Sequence, residues 1–279
     1  MSSRFVAGFR IEDSLTAATN LNAQGLSVTL DSLGENVSTP DQARQSAQVY
    51  HWLLDAIAQA KLDANVSLKL TQMGMDLSHD LASDIVSALV DHAVQSDSFV
   101  RVDMEGTDYT QATIDLVRRL HAKPENRGHV GIVIQAYLRR SADDITKLVS
   151  DRIRIRLCKG AYKEPAGLAF PDKKDVDSSF VALTKVLLKS GVFHGIATHD
   201  PAMIDATKNF ARAERIDPKS FEFQMLYGVR RDLQRSLVQE GYRVRVYVPF
   251  GDEWYPYFMR RLAERPANVL FLAKNFFRK

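Results

Sequence analysis

The sequence predicts an α/β fold in which eight parallel strands and their helices close into a (β/α)8 TIM-like barrel. Three observations carry that expectation. Eight short runs rich in β-branched, aromatic and other apolar residues recur along the chain, each separated from the next by room for one helix. The length of 279 residues is close to the ~250 that such a barrel occupies. No Gly- or Pro-rich linker interrupts the series, so one domain spanning residues 1–279 is the simplest division. Alternation of strand and helix argues for parallel pairing. Closure as a barrel rather than an open sheet is chosen on strand count and length.

Taken in order, the first four runs are LSVTLD (26–31), VSLKLT (66–71), FVRVDM (99–104) and VGIVIQAYL (130–138). The other four are RIRIRLC (152–158), HGIATH (194–199), FEFQMLY (221–227) and YRVRVYVPF (242–250). The clearest helical pattern covers 40–61: Thr39 suits the cap, Pro40 the first helical position, and Ala43, Ala47, Tyr50, Leu54 and Ile57 recur at helical spacing. The longest irregular piece, YKEPAGLAFPDKKDVDSS (162–179), follows the fifth run and is expected to form a mobile loop over the active site. Near the C-terminus, WYPYFMRRLAE (254–264) places Tyr257, Arg260, Arg261 and Glu264 at i, i+3, i+4 and i+7, on one helical face. That stripe reads either as a solvated face or as a guanidinium fork aimed at a carboxylate.

Composition excludes several classes. A hydrophobic content of 45% and a charged content of 25% are those of an ordinary globular protein. The net charge of +3 is spread without a basic stripe, so nucleic acid is not expected as a partner. A single cysteine, Cys158, allows no internal disulfide. The start MSSRFVAGFR lacks an apolar signal core, and no run approaches ~18 apolar residues, so a cytoplasmic chain is expected.

In barrels of this kind the C-terminal strand ends build the active site. Here they carry Asp31, Lys69, Asp103, Glu105, Gln135, Arg156, Lys159, Thr198, His199, Tyr227 and Tyr247. Each taken singly reads as half of a structural ion pair or as a satisfied polar group; their concentration at one rim points to chemistry. No nucleophile elbow, Walker loop or G-x-G-x-x-G turn is present. His194 and His199 lack a third ligand at metal-site spacing, and no metal is expected.

SLKLTQMG, RVDMEGTDYT, IVIQAYLRRS, RIRLCKGAYKEP, IATHD, FEFQMLYGVR, VRVYVPFG and WYPYFMRRLAERPANV resemble, in order, the motifs of bacterial monofunctional proline dehydrogenases, also called proline oxidases. The resemblance runs from Phe5 to Phe271 and is most specific in R-L-x-K-G-A-Y and Y-x-x-R-R-x-x-E. It implies a distorted (β/α)8 barrel holding FAD at its C-terminal rim. The implied reaction is oxidation of L-proline to Δ1-pyrroline-5-carboxylate, with hydride passing to flavin N5 and electrons to a membrane quinone. Carried over by position, Arg260 and Arg261 grip the proline carboxylate, assisted by Lys69, and Glu264 fixes the fork. Tyr247 and Tyr257 flank the ring, and Leu157 lines the space beside it. Asp103 orients Lys69 and the substrate end of the site. Gln135, Arg156, Lys159, Ala161, Thr198 and His199 cradle FAD, with Arg156 beside N5. The resemblance also implies transient peripheral contact with the membrane, and it leaves oligomerisation open.

Cys158 departs from the pattern, standing where the family has an aliphatic residue. Nothing resembles the DNA-binding or aldehyde dehydrogenase regions of long bifunctional relatives. A Schiff-base aldolase using Lys69 or Lys159, and a protein that binds an amino acid or flavin without turnover, are the alternatives.

Overall fold

The computed structural model describes residues 5–255 and Met259. In chain order its elements are α1 (Ile11–Asn22), β1 (Ser27–Ser32), α2 (Pro40–Ala60), β2 (Ala64–Leu68), α3 (His79–Gln95), β3 (Val100–Val102), α4 (Thr107–Ala122) and β4 (Val130–Gln135). They continue with α5 (Ser141–Ser150), β5 (Arg154–Cys158), α6 (Lys173–Lys189), β6 (Gly195–Ala197), α7 (Pro201–Ala213), β7 (Glu222–Leu226), α8 (Arg231–Gln239) and β8 (Arg243–Phe250). The strands pair in sequence order, all parallel, and β8 returns to β1 to close the barrel. The fold expected from the sequence is the fold observed.

Local chemistry fixes the boundaries. At α2, Thr39 Oγ1 accepts from the Gln42 N–H (3.2 Å) while Gln42 Oε1 accepts from the Ser38 and Thr39 N–H groups (2.8 and 3.2 Å). This reciprocal cap contributes about 1 kcal/mol and places the helix start where the sequence predicts it. The second strand stops at Leu68, earlier than expected, because the Met73 and Met75 N–H groups fold back onto the Lys69 and Leu70 carbonyls. Lys69 therefore stands just past the strand end, at the C-terminal rim.

Alternation along the strands separates two environments. Val28, Leu30, Val66, Leu68, Val100, Val102, Ile132, Ile155 and Phe223 are buried in the apolar layer shared with the helices. The intervening positions send Thr29, Asn65, Ser67, Arg101, Arg156, Glu222, Gln224 and Arg245 into the lumen, where they are also buried. A lumen this polar stands only if its groups bond one another. Thr29 Oγ1 donates to Asn65 Oδ1 (2.6 Å), Arg245 Nε to Glu222 Oε1 (2.8 Å), and Arg101 Nη1 to the Arg154 carbonyl (2.7 Å). Gly195 makes room for one of them, since a Cβ there would sit 2.3 Å from Gln224 Nε2.

The segment after β5 corrects the expectation of a long mobile loop. Its second part is helical, because α6 begins at Lys173. The remainder is tied down. Glu164 accepts from the Thr107 N–H (2.8 Å) and Oγ1 (2.6 Å) at the start of α4, Arg139 Nε donates to the Ala166 carbonyl (3.0 Å), and the Phe170 N–H donates to the Tyr137 carbonyl (2.8 Å).

Candidate active site

Two linked clusters of buried charge occupy the C-terminal end of the lumen. In the first, Lys69 Nζ lies 3.4 Å from Asp31 Oδ2, and both side chains are almost wholly buried. Burial disfavours the ammonium, but the carboxylates of Asp31 and then Asp103 outweigh it and hold the lysine pKa above its ordinary value. The Glu35 carboxylate and Tyr162, in the segments after β1 and β5, act on the ammonium in the same sense. Asp31 is also within reach of the Tyr50 hydroxyl (3.3 Å), and that hydroxyl lies 3.0 Å from Gln72 Oε1.

The second cluster centres on Asp103. Its Oδ1 accepts from Arg156 Nη1 (2.8 Å) and Ser67 Oγ (2.5 Å), and its Oδ2 from the Tyr247 hydroxyl (2.9 Å). Arg156 is held on a second side by Gln224, whose Oε1 accepts from Nε. Its guanidinium carbon lies 5.1 Å from the centroid of the Tyr247 ring. Burial, followed by the Asp103 and Asp31 carboxylates, pushes the Tyr247 phenol above its ordinary range, so it remains a donor at neutral pH.

Of the residues singled out from the sequence, Lys69, Asp103, Arg156 and Tyr247 thus meet at one place. The expected partnership of Asp103 with Lys69 is replaced: the lysine's hydrogen bond goes to Asp31, and Asp103 acts on it through charge alone. Strands β1 and β3 both flank β2, so adjacency alone does not choose between the two carboxylates; Asp103 is occupied by Ser67, Arg156 and Tyr247, which leaves Asp31 to the lysine. Leu157 is fully buried in the apolar core. Tyr257, Arg260, Arg261 and Glu264 lie outside the described residues.

The remaining rim positions follow β4 to β6. Gln135 donates through Nε2 to the Glu105 carbonyl (2.9 Å), and its Oε1 accepts from the Ala161 N–H (3.4 Å). Glu105 accepts from the Thr71 N–H (3.1 Å) and Oγ1 (2.6 Å). Thr198 is buried and its Oγ1 accepts from the Asp200 N–H (3.1 Å). His199 Nε2 accepts from the Leu226 N–H (2.8 Å), which puts the proton of the neutral ring on Nδ1. The Lys159 ammonium bridges Asp200 (2.8 Å) and Asp177, and this pairing pulls the Asp200 carboxyl below its ordinary range despite partial burial.

Sequence reasoning placed Asp31 on the rim without giving it a role, and it passed over Ser67, Gln224, Tyr50 and Tyr162. Ser67 and Gln224 had one legible signal: a polar residue at an inward position of an otherwise apolar parallel strand.

A family model described as "Proline dehydrogenase" matches residues 14–274. The chain is 45% identical over 276 residues to "Proline dehydrogenase 1" of Bacillus subtilis subsp. natto, covering 99% of this chain and 90% of that protein. It is 40% identical over 277 residues to "Proline dehydrogenase" of Deinococcus radiodurans, covering 98% and 89%. Among solved structures it resembles proline utilization A (PutA) of Bdellovibrio bacteriovorus inactivated by N-propargylglycine, with a TM-score of 0.88 and 25% identity. The match covers 94% of this chain and 32% of that longer one.

Proposed function

The chain belongs to the proline dehydrogenase family, and on that premise we propose that it oxidises L-proline to Δ1-pyrroline-5-carboxylate, with FAD as the hydride acceptor and a quinone as the onward electron acceptor. The observation that carries this reading is the buried pair of clusters, with a charged lysine beside a tyrosine and a fixed guanidinium at the active-site end of the barrel.

The donor set fits a flavin dinucleotide. Gln135, Arg156, Thr198 and His199 stand on or just after the consecutive strands β4, β5 and β6, and Gly160 and Ala161, just after β5, are exposed. When bound, the flavin accepts hydride and passes electrons onward, so the protein needs neither a nucleophile nor a metal. What these residues supply is position and field. Lys69, kept charged by Asp31, attracts the proline carboxylate, and Arg260 and Arg261 add the bidentate fork. Tyr247 offers its ring to the apolar part of proline, and by position Tyr257 would join it while Glu264 steadies the arginines; Leu157, on the same face of β5 as Ile155, packs in the apolar layer instead of lining that space. Asp103, Ser67 and Gln224 fix Arg156 on two sides, so its charge is held in place before substrate arrives and would be available to a bound flavin. Lys159 helps the cofactor site by holding the loop after β5 to Asp177 and Asp200.

A Schiff-base aldolase requires an amine with a lowered pKa, and Lys69 is shifted the other way. Delivery of electrons to a quinone implies transient contact with a membrane surface; among the described residues no helix is long and apolar enough to cross one. The test is a visible spectrum of the purified protein. Flavin bands should bleach when L-proline is added without oxygen, and denaturation should release the colour, since no covalent linkage is expected. A colourless protein, or a yellow one that proline leaves oxidised, would overturn the reading.

A further inference from the structure

At the opposite end of the barrel, a hollow of about 880 Å³ opens where β4, β5 and β6 begin, beside the C-terminal ends of α4 and α5. Its lining carries Arg118, Arg127, Arg152 and Arg154, with His121 and one carboxylate, Asp151. That carboxylate is already taken, since Arg118 Nε donates to Asp151 Oδ2 at 2.6 Å. Three guanidinium groups therefore face the hollow without an acid to match them, in a chain whose whole formal charge is only +3.

Helix C-termini attract cations, which accounts for some of this charge but not for its arrangement. Arg127 and Arg152 are exposed, and among the described residues neither side chain makes a hydrogen bond or ion pair. Arg154 is clamped between rings, its guanidinium carbon 4.4 Å from the Phe99 centroid and 4.9 Å from that of Phe193. One Nη1 contact reaches the Gly128 carbonyl at 3.3 Å, while its buried Nε has no partner among the described residues. Burial depresses the pKa of Arg154, and Arg245 and Arg243 add to the effect against the opposing pull of Glu222. Burial also depresses His121, and Arg127 follows as a second cause, opposed by Asp151. Arg127 thus acts on His121 as a like charge across the hollow. A stacked, immobilised guanidinium beside two unbonded ones is the arrangement that recognises a tetrahedral oxyanion through paired N–H donors. The volume is of the size that small-molecule sites occupy.

We propose that this hollow is a binding site for a phosphate-bearing anion, held by Arg127, Arg152 and Arg154 with His121 beside them. The ligand's phosphate belongs either to a soluble anion or to the headgroup of an anionic lipid, and the same guanidinium chemistry serves both. The site lies on the face opposite the catalytic rim, so occupancy does not block the rim.

The experiment uses the purified holoprotein in phosphate-free, low-salt buffer. Inorganic pyrophosphate is titrated calorimetrically, and sedimentation with phosphatidylglycerol vesicles is compared with sedimentation with phosphatidylcholine vesicles. Saturable binding of pyrophosphate should weaken about tenfold or more in Arg127→Gln and in Arg152→Gln, because each loses a charge-assisted contact. Arg44→Gln, which removes an exposed arginine paired with Asp41 on α2, should bind as the unmodified protein does. Proline oxidation without pyrophosphate should be unchanged in all three. Bound pyrophosphate should also raise the titration midpoint of the His121 ring, read by NMR, because the anion offsets Arg127. Sedimentation with phosphatidylglycerol that pyrophosphate competes away, and that a variant combining Arg127→Gln with Arg152→Gln loses, identifies a lipid headgroup. Pyrophosphate binding without sedimentation identifies a soluble anion. Absence of both at millimolar pyrophosphate, or equal weakening by Arg44→Gln, overturns the proposal.

Discussion

His194 gives this protein a specific sensitivity to acid. The ring sits before β6 with 1% exposure; its Nδ1 accepts from the Ile155 N–H (3.0 Å) and its Nε2 lies 2.9 Å from Ser190 Oγ. Both contacts hold for the neutral ring protonated on Nε2. A second proton would place an N–H at Nδ1 against the Ile155 N–H, so the imidazolium has no acceptor there. Burial, followed by the nearby Arg101 and Arg154 guanidinium groups, pushes the pKa from 6.5 down to about 3. The native state therefore refuses a proton that the unfolded chain takes up below its own pKa near 6.5. Stability from this group is fully present above that value and is lost as pH falls toward about 3. The slope is about 1.4 kcal/mol per pH unit, which amounts to about 2 kcal/mol between pH 7.5 and pH 5. For a chain of this size that is a fall in melting temperature of roughly 4–8 °C. The assay is chemical denaturation at a series of pH values for the unmodified protein and for His194→Asn, whose amide oxygen can still accept from Ile155. The variant should show a flatter profile by the stated slope. Parallel profiles, or an NMR titration of His194 near 6.5, would show that the buried ring does not set the acid sensitivity.

The remaining predictions concern the catalytic rim. Lys69→Met should keep the flavin colour while weakening proline binding and slowing flavin reduction; a colourless variant would assign Lys69 to the cofactor site. Asp103→Ala leaves the Arg156 charge buried without its carboxylate and should lose about 3–5 kcal/mol of stability by denaturant titration, with Asp103→Asn losing less because one acceptor remains. An unchanged midpoint for the alanine variant would remove Asp103 from the centre of the network. Arg260→Lys and Arg261→Lys should each lose most of the ~2–5 kcal/mol lost on Arg→Met, since an ammonium cannot form the planar fork. Kinetics with L-proline and its carboxamide decide this: both variants should lose the preference for the free acid, and retained discrimination would show that the carboxylate is held elsewhere.

The alternation of eight strands with helices, the start of α2 at its Thr39 cap, and the family, through ordered motifs such as RLCKGAYKEP, are all legible along the chain. These are legible because period, capping and motif spacing are local properties of a chain. The sequence also named Lys69, Asp103, Arg156 and Tyr247 as rim residues, because a strand end in a barrel has a known direction. Tertiary structure alone decided who bonds whom. Asp31 takes Lys69 because Asp103, on the other strand flanking β2, is drawn to Ser67, Tyr247 and Arg156, and Arg156 crosses from β5 to Asp103 after β3, skipping a strand, because the lumen is narrow enough for alternate strands to touch. The loop after β5 is tethered by Glu164 to a helix start 57 positions away, a contact with no local trace. Likewise, Arg127, Arg152 and Arg154 look scattered along the chain, and barrel closure gathers them around one hollow. Side chains in a closed barrel meet by radial layer and stagger, and those are fixed only when β8 pairs with β1.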